Sequence, residues 1–141
     1  MKELVKKQQK HAGFGVRFLA FIIDMVILAT VLGVLRRLLF FPPFGRPYGQ
    51  YLWGNFNLLA STLYSISLWV NWNGQTVGKK ALKIKVVSVD KKALDYKTAI
   101  IRYIGYFVSS IVFCLGFFWI IWDDEKQGWH DKIAGTYVVK E

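Results

Sequence analysis

Residues 14–35 read FGVRFLAFIIDMVILATVLGVL. A soluble domain distributes its apolar residues at helix or strand period between polar ones, whereas here only Arg17 and Asp24 interrupt an apolar run. At about 1.5 Å per residue the run is long enough to cross a bilayer as one helix. It closes on Arg36 and Arg37, and it follows a tail, Met1 to Gly13, with Lys2, Lys6, Lys7 and Lys10 against Glu3 alone. The excess of cations predicts that residues 1–13 stay in the cytoplasm. A secretory signal peptide is the rival reading, but Arg17 and Asp24 break the required apolar stretch and no good small-residue cleavage site follows.

Two further blocks extend the pattern. Pro42, Pro43, Gly45, Pro47 and Gly49 punctuate a turn between Phe40 and Tyr51. Tyr48, Tyr51 and Trp53 suit a membrane–water boundary. A second helix is expected over 52–72, carrying Asn55, Asn57, Ser61, Thr62, Ser65, Ser67 and Asn71 for hydrogen bonds across a bundle, with Ser61 and Ser65 spaced for close approach. The polar loop 73–97 is rich in lysine and should be cytoplasmic; within it Leu82, Ile84 and Val86 alternate as a short strand ending at an Asp90–Lys92 turn. A third helix is expected over 98–122, with Arg102 near its start and Gly105 and Ser109 at packing spacing. The C-terminal segment 123–139 holds Asp123, Asp124, Glu125, His130 and Asp131, then Tyr137 to Val139, a second candidate strand.

The expected fold is therefore an all-α integral membrane helical bundle of about three transmembrane helices with a short cytoplasmic β-strand or hairpin, in one domain over 14–139. Three full crossings put the chain ends on opposite sides, in keeping with the acidic stretch after Trp122. Pairing of Tyr137–Val139 with Leu82–Val87 requires the same side, which a re-entrant third block would provide.

The net charge of +10 does not call for nucleic acid, because basic residues flanking apolar blocks are what membrane topology demands. One cysteine, Cys114, excludes an intrachain disulfide and a cysteine-based zinc site. GQTVGKK at 74–80 falls one residue short of a phosphate-binding loop and has Lys80 where a magnesium-holding hydroxyl belongs. His130 and Asp131 near Asp123–Glu125 fix no coordination sphere, and His11 stands alone in a basic tail. No catalytic set stands out, so neither an enzyme nor a cofactor is expected.

Asp24 carries the chemical interest. An ionisable group mid-span costs about 2.5–3.5 kcal/mol on insertion scales, so it needs a partner or a task. Arg17, seven residues earlier, projects from nearly the same face about 10 Å away along the axis. The two form one polar stripe, closed by water or by a group from another helix. Arg17 can also snorkel to the interface while a neighbouring hydroxyl or amide holds Asp24.

The runs FGVRFLAFIID, GQTVGKKALKIKVVS and HDKIAGTYVV, in this order from Gly13 to Val139, resemble the RDD family of bacterial membrane proteins, named for one arginine and two aspartates. The resemblance implies that Arg17 is the arginine, Asp24 the first aspartate and Asp131 the second, with Asp123 a weaker claimant. It also implies mostly unassigned functions with transport suspected. The candidate polar site is thus Arg17, Asp24 and Asp131, supported by Arg102, Asp123, Asn57, Ser61, Thr62 and Ser65. Two functions fit: an oligomeric multi-pass protein of the cell membrane that moves or senses a cation or proton at Asp24, or a non-catalytic assembly module binding partner helices. Its expected partners are lipid, further copies or other membrane proteins, and a small cation or proton.

Overall fold

The computed structural model describes residues 10–39, 46–90 and 94–141. Most of the basic tail, Pro42, Pro43 and Gly45 of the expected turn, and Lys91 and Lys92 lie outside the described residues. Helix α1 spans Phe14–Leu39 and α2 spans Arg46–Asn71. They run antiparallel: Asp24 meets Tyr64, and Arg36 lies 5.8 Å over the Trp53 ring. Helix α2 begins six residues before the expected start, taking in Pro47. Proline is tolerated in a first turn because the amides there have no intrahelical acceptor.

The loop 73–97 contains a short helix the sequence reading missed, α3 (Val77–Ala81), followed by strand β1 (Ile84–Ser88). Helix α4 spans Tyr96–Ile111 and starts on Asp95, whose carboxylate accepts the Thr98 N–H at 3.0 Å. Hydrogen bonding to Thr98, first from its side chain and then from this N–H, holds the Asp95 carboxyl below its ordinary pKa. Helix α5 (Leu115–Phe118) runs into a 3₁₀ turn, Trp119–Ile121. Helix α6 (Trp129–Ala134) ends at Gly135, and strand β2 occupies Thr136–Lys140.

The continuous third helix expected over 98–122 does not form. Its two parts meet at 110°, with Phe113 and Cys114 in the left-handed region at φ 47° and 61°. The return arm folds back onto α4 because Gly116 lies against Ser109; a Cβ there would stand 2.6 Å from the Ser109 Cα. Gly105, expected to pack another span, instead admits His130 of α6, whose Cα would lie 2.8 Å from an added Cβ.

Strands β1 and β2 pair antiparallel from Ile84↔Lys140 to Ser88↔Thr136, as the like-side alternative requires, and are joined through α4–α6 rather than as a hairpin. The N-terminal residues lie against β2: the Ala12 N–H donates to Val138 O at 2.8 Å and the Lys140 N–H to Lys10 O at 2.9 Å. Both described ends of the chain therefore sit together, an arrangement that three full crossings would not allow.

Ala12, Ala20, Ile84, Val86, Leu94 and Val138 form a buried cluster against Val16 and Leu82. Each large member contributes on the order of 1.5–3 kcal/mol by leaving water. This cluster covers one side of the first turns of α1. Beyond it Met25, Val26, Val31, Val34 and Leu38 are exposed. Among the described residues, Phe14–Leu38 is the one unbroken helix long and apolar enough to cross a membrane.

Candidate functional site

Two carboxylates organise the packed end, and they do so separately. Asp131 is the acidic residue in the first turn of α6, where its Oδ2 accepts the Gly128 N–H at 3.0 Å as part of the helix start. That position turns the carboxylate toward α1 and α4. Arg17 of α1 donates Nη1 to Oδ2 at 2.5 Å, and Arg102 of α4 donates Nη1 to Oδ1. The Asp131 and Arg102 side chains are 0% and 2% exposed. Arg17 further donates Nε to Ala12 O at 2.9 Å and Nη2 to Lys126 O at 2.5 Å, while Arg102 donates to the Thr136 hydroxyl. One carboxylate thus binds α1, α4 and α6 and, through the guanidinium groups, the start of β2. Burial alone would raise the Asp131 pKa, but Arg102, His130 and Arg17 together hold it well below the carboxylate range.

His130 sits beside this cluster. Ser109 Oγ accepts the His130 backbone N–H at 3.2 Å, which leaves its own proton for Nδ1 at 3.2 Å. The network therefore assigns the imidazole proton to Nε2, 3.6 Å from Asp131 Oδ2. Burial drives the His130 pKa down to about 3 against the pull of Asp131, so the ring is neutral at pH 7.

Asp24 serves a different joint. Its Oδ1 accepts the Tyr64 hydroxyl at 2.9 Å and the Gly78 N–H at 2.8 Å, and its Oδ2 accepts the Thr76 hydroxyl at 2.5 Å. Thr76 is in turn the N-cap of α3, accepting the Lys79 N–H at 3.4 Å, and Tyr64 accepts the Val77 N–H at 3.3 Å. Asp24 therefore pins the α3 N-terminus, where a negative charge is also favoured by the exposed amides, to α1 and α2. Gly78 makes the approach possible: a Cβ would stand 2.2 Å from Ala20 O and 3.0 Å from the Asp24 Cγ. The single polar stripe expected for Arg17 and Asp24 is thus two sites, because each residue has nearer partners than the other.

The supporting residues divide likewise. Arg102 belongs to the Asp131 cluster. Asp123 does not: it pairs with Lys132 and accepts the Gln127 N–H at 2.9 Å. Burial opposes its ionisation, but these partners leave its pKa below the ordinary value. Thr62 bridges helices through a 2.8 Å hydrogen bond with the Tyr103 hydroxyl, whereas Ser61 donates to Leu58 O of its own helix at 2.9 Å. Asn57 keeps a buried Oδ1 without a hydrogen-bond partner among the described residues, and Ser65 is half-buried.

Lys79 was not anticipated. It is buried on α3 with Nζ 4.6 Å over the Trp69 ring, and Arg102 lies 5.5 Å from the same ring. Burial, reinforced by Arg102 and opposed by Asp24 and Asp131, pushes its pKa well below that of an ordinary lysine. A base with a depressed folded-state pKa leaves the unfolded chain holding more protons, so its destabilisation grows as pH falls from 10.5 toward the folded value. Lys79→Met is expected to raise stability at pH 7 by about 1 kcal/mol. The advantage should shrink as pH approaches 10 in detergent unfolding curves; an advantage independent of pH would show that packing, not charge, limits the site.

Residues 11–135 match the RDD family. Bacillus subtilis YxaI, an uncharacterized protein, is 32% identical, with 93% of this chain and 98% of YxaI covered. YteJ of the same organism, described as an uncharacterized membrane protein, is 31% identical over 93% of this chain and 82% of its own length. A proline-rich antigen homolog of Mycobacterium tuberculosis is 33% identical, the match covering 47% of this chain and 28% of that protein. No solved structure matches. The match over most of the chain, together with the apolar α1 and the arginine–aspartate cluster, establishes that this is a membrane protein and that it belongs to the RDD family.

Proposed function

We propose that the protein is a non-catalytic membrane assembly module, set in the cell membrane with α1 and α2 crossing the bilayer and the N-terminus in the cytoplasm. The observation that supports this most is the use of both central carboxylates as joints. Asp131 takes donors from α1, α4 and the start of α6, and Asp24 takes them from α2, α3 and the loop before α3. Neither carboxylate is left as a bare acceptor. The joints hold the lipid-soluble faces of α1 and α2 at a fixed angle to the sheet, ready to meet partner helices or further copies.

Asp24 separates this reading from transport. In Asp24→Ala three donors lose their acceptor, at about 1–3 kcal/mol for each that stays buried. In Asp24→Asn an amide oxygen at the Oδ1 position still accepts from Gly78 and Tyr64, and the Thr76 hydroxyl can rotate to accept an amide proton. An assembly module predicts that Asp24→Asn keeps the wild-type oligomer in detergent while Asp24→Ala loses it. The second reading, movement of a proton or small cation, draws on Lys79, a buried amine electrostatically coupled to both carboxylates. It predicts proton, sodium or potassium flux in liposomes that Asp24→Asn abolishes without unfolding. Such a flux would overturn the assembly reading.

A further inference from the structure

We infer that residues 96–122 are embedded in one leaflet of the bilayer without crossing it, and that acyl chains cover their exposed apolar face. The pairing Ser88↔Thr136 brings the two ends of the intervening chain to the same point, so that chain crosses the membrane twice or not at all. Two crossings are too long for it. Helix α4, with 16 residues, reaches about 24 Å, and the return arm Leu115–Ile121 reaches about 11–14 Å, against a hydrocarbon thickness of about 30 Å.

The chemistry of the segment fits a single leaflet. Charged residues stand at both ends, Asp95 and Lys97 at the entry and Asp123 to Lys126 at the exit, whereas the one charge within, Arg102, is buried on Asp131. At the bend the chain serves its own backbone: Leu115 N–H donates to Val112 O at 2.8 Å, Phe117 N–H to Cys114 O at 2.9 Å and Cys114 N–H to Ser110 O at 3.4 Å. Internal pairing of this kind is what hydrocarbon requires of a bent backbone. Beyond Lys97 at the entry the outward side chains are mostly apolar, with Ile111, Phe113 and Trp122 exposed by 78%, 93% and 70%, and the exposed Ser110 hydroxyl donates to Tyr106 O.

Lipid is favoured over a second copy by continuity with the spanning helix. Phe118 of the return arm stacks on Phe14 of α1 at 5.2 Å, which sets the hairpin beside the first turns of α1 in the leaflet nearer the paired chain ends. Trp119 and Trp122, both exposed where the arm returns, suit the headgroup boundary.

Cys114, at the bend, supplies a native probe in the full chain. The protein would be reconstituted in sealed phosphatidylcholine–phosphatidylglycerol vesicles with a short epitope tag at each end. Both tags are expected to be digested by protease from the same face. Cys114 should resist a membrane-impermeant maleimide from either face, react with a permeant one, and, once carrying a bimane, be quenched by lipids with nitroxides on their acyl chains. Tags on opposite faces would mean that the segment crosses. Rapid reaction with the impermeant reagent would place the bend in water, and protection that disappears as the protein is diluted into more lipid would put a second copy on this face. Any of those three results overturns the inference.

Discussion

Asp131→Asn is expected to lower the unfolding free energy by about 3–5 kcal/mol, a large part of the 5–15 kcal/mol typical of a whole domain. The substitution keeps the volume of the side chain and one acceptor, but it removes the charge and turns an amide NH₂ toward a donor that the lost oxygen accepted. Arg17 and Arg102 remain buried with nothing to balance them, and Lys79 stands nearby. Arg17→Met should cost less, because Asp131 then faces Arg102 alone and the buried charges balance. Adding Arg102→Met to Asp131→Asn should restore part of the lost stability by removing one uncompensated cation. Thermal unfolding in detergent, followed by tryptophan fluorescence, would rank the variants. If the double variant is less stable than Asp131→Asn alone, shape and hydrogen bonding hold the cluster together, and the electrostatic account is wrong.

The residues of this cluster differ in how plainly the chain advertises them. The cost of a charge in an apolar run marked Arg17 and Asp24, and the family resemblance, not any spacing, marked Asp131. What pairs with what was hidden. Seven residues put Arg17 and Asp24 on one face, yet Asp131 reaches Arg17 from 114 positions away because α6 docks on α4 at Gly105, a tertiary event with no local signature. The break at Phe113 and Cys114 was equally silent: neither is a residue that favours the left-handed region, and no proline marks the bend. Packing of Gly116 on Ser109 decides it. The pairing of β1 and β2 was legible only as the alternative to three crossings: two short apolar alternations suggested it, because such strands have few other partners in a helical chain, while the acidic stretch after Trp122 pointed to opposite sides. Helix α3 escaped notice since five residues carry no periodicity; Thr76, a capping residue opening the TVGKK run, was the one available sign.

Gly74→Ala is expected to cost about 2–6 kcal/mol, combining two penalties of about 1–3 kcal/mol each. Gly74 has φ +80°, where a Cβ is strained, and that Cβ would stand 1.9 Å from Val86 O, part of the β1 backbone. Relief cannot come from a side-chain rotation. The strand would have to move, and with it the hydrogen bond that the Val86 N–H donates to Gly74 O at 2.9 Å. Gly135→Ala provides the comparison: its φ is +60°, and an added Cβ meets nothing within 4 Å, so strain acts alone at about 1–2 kcal/mol. The difference between the two variants in unfolding free energy measures the close approach itself. It bears on function because Gly74 opens GQTVGKK, the stretch that superficially resembles a phosphate loop. Its glycines admit neighbouring backbone, Val86 O at Gly74 and Ala20 O at Gly78, so that Thr76 can carry Asp24. Equal costs for Gly74→Ala and Gly135→Ala would show that β1 yields freely, and the loop would then hold α3 to α1 less rigidly than the assembly reading requires.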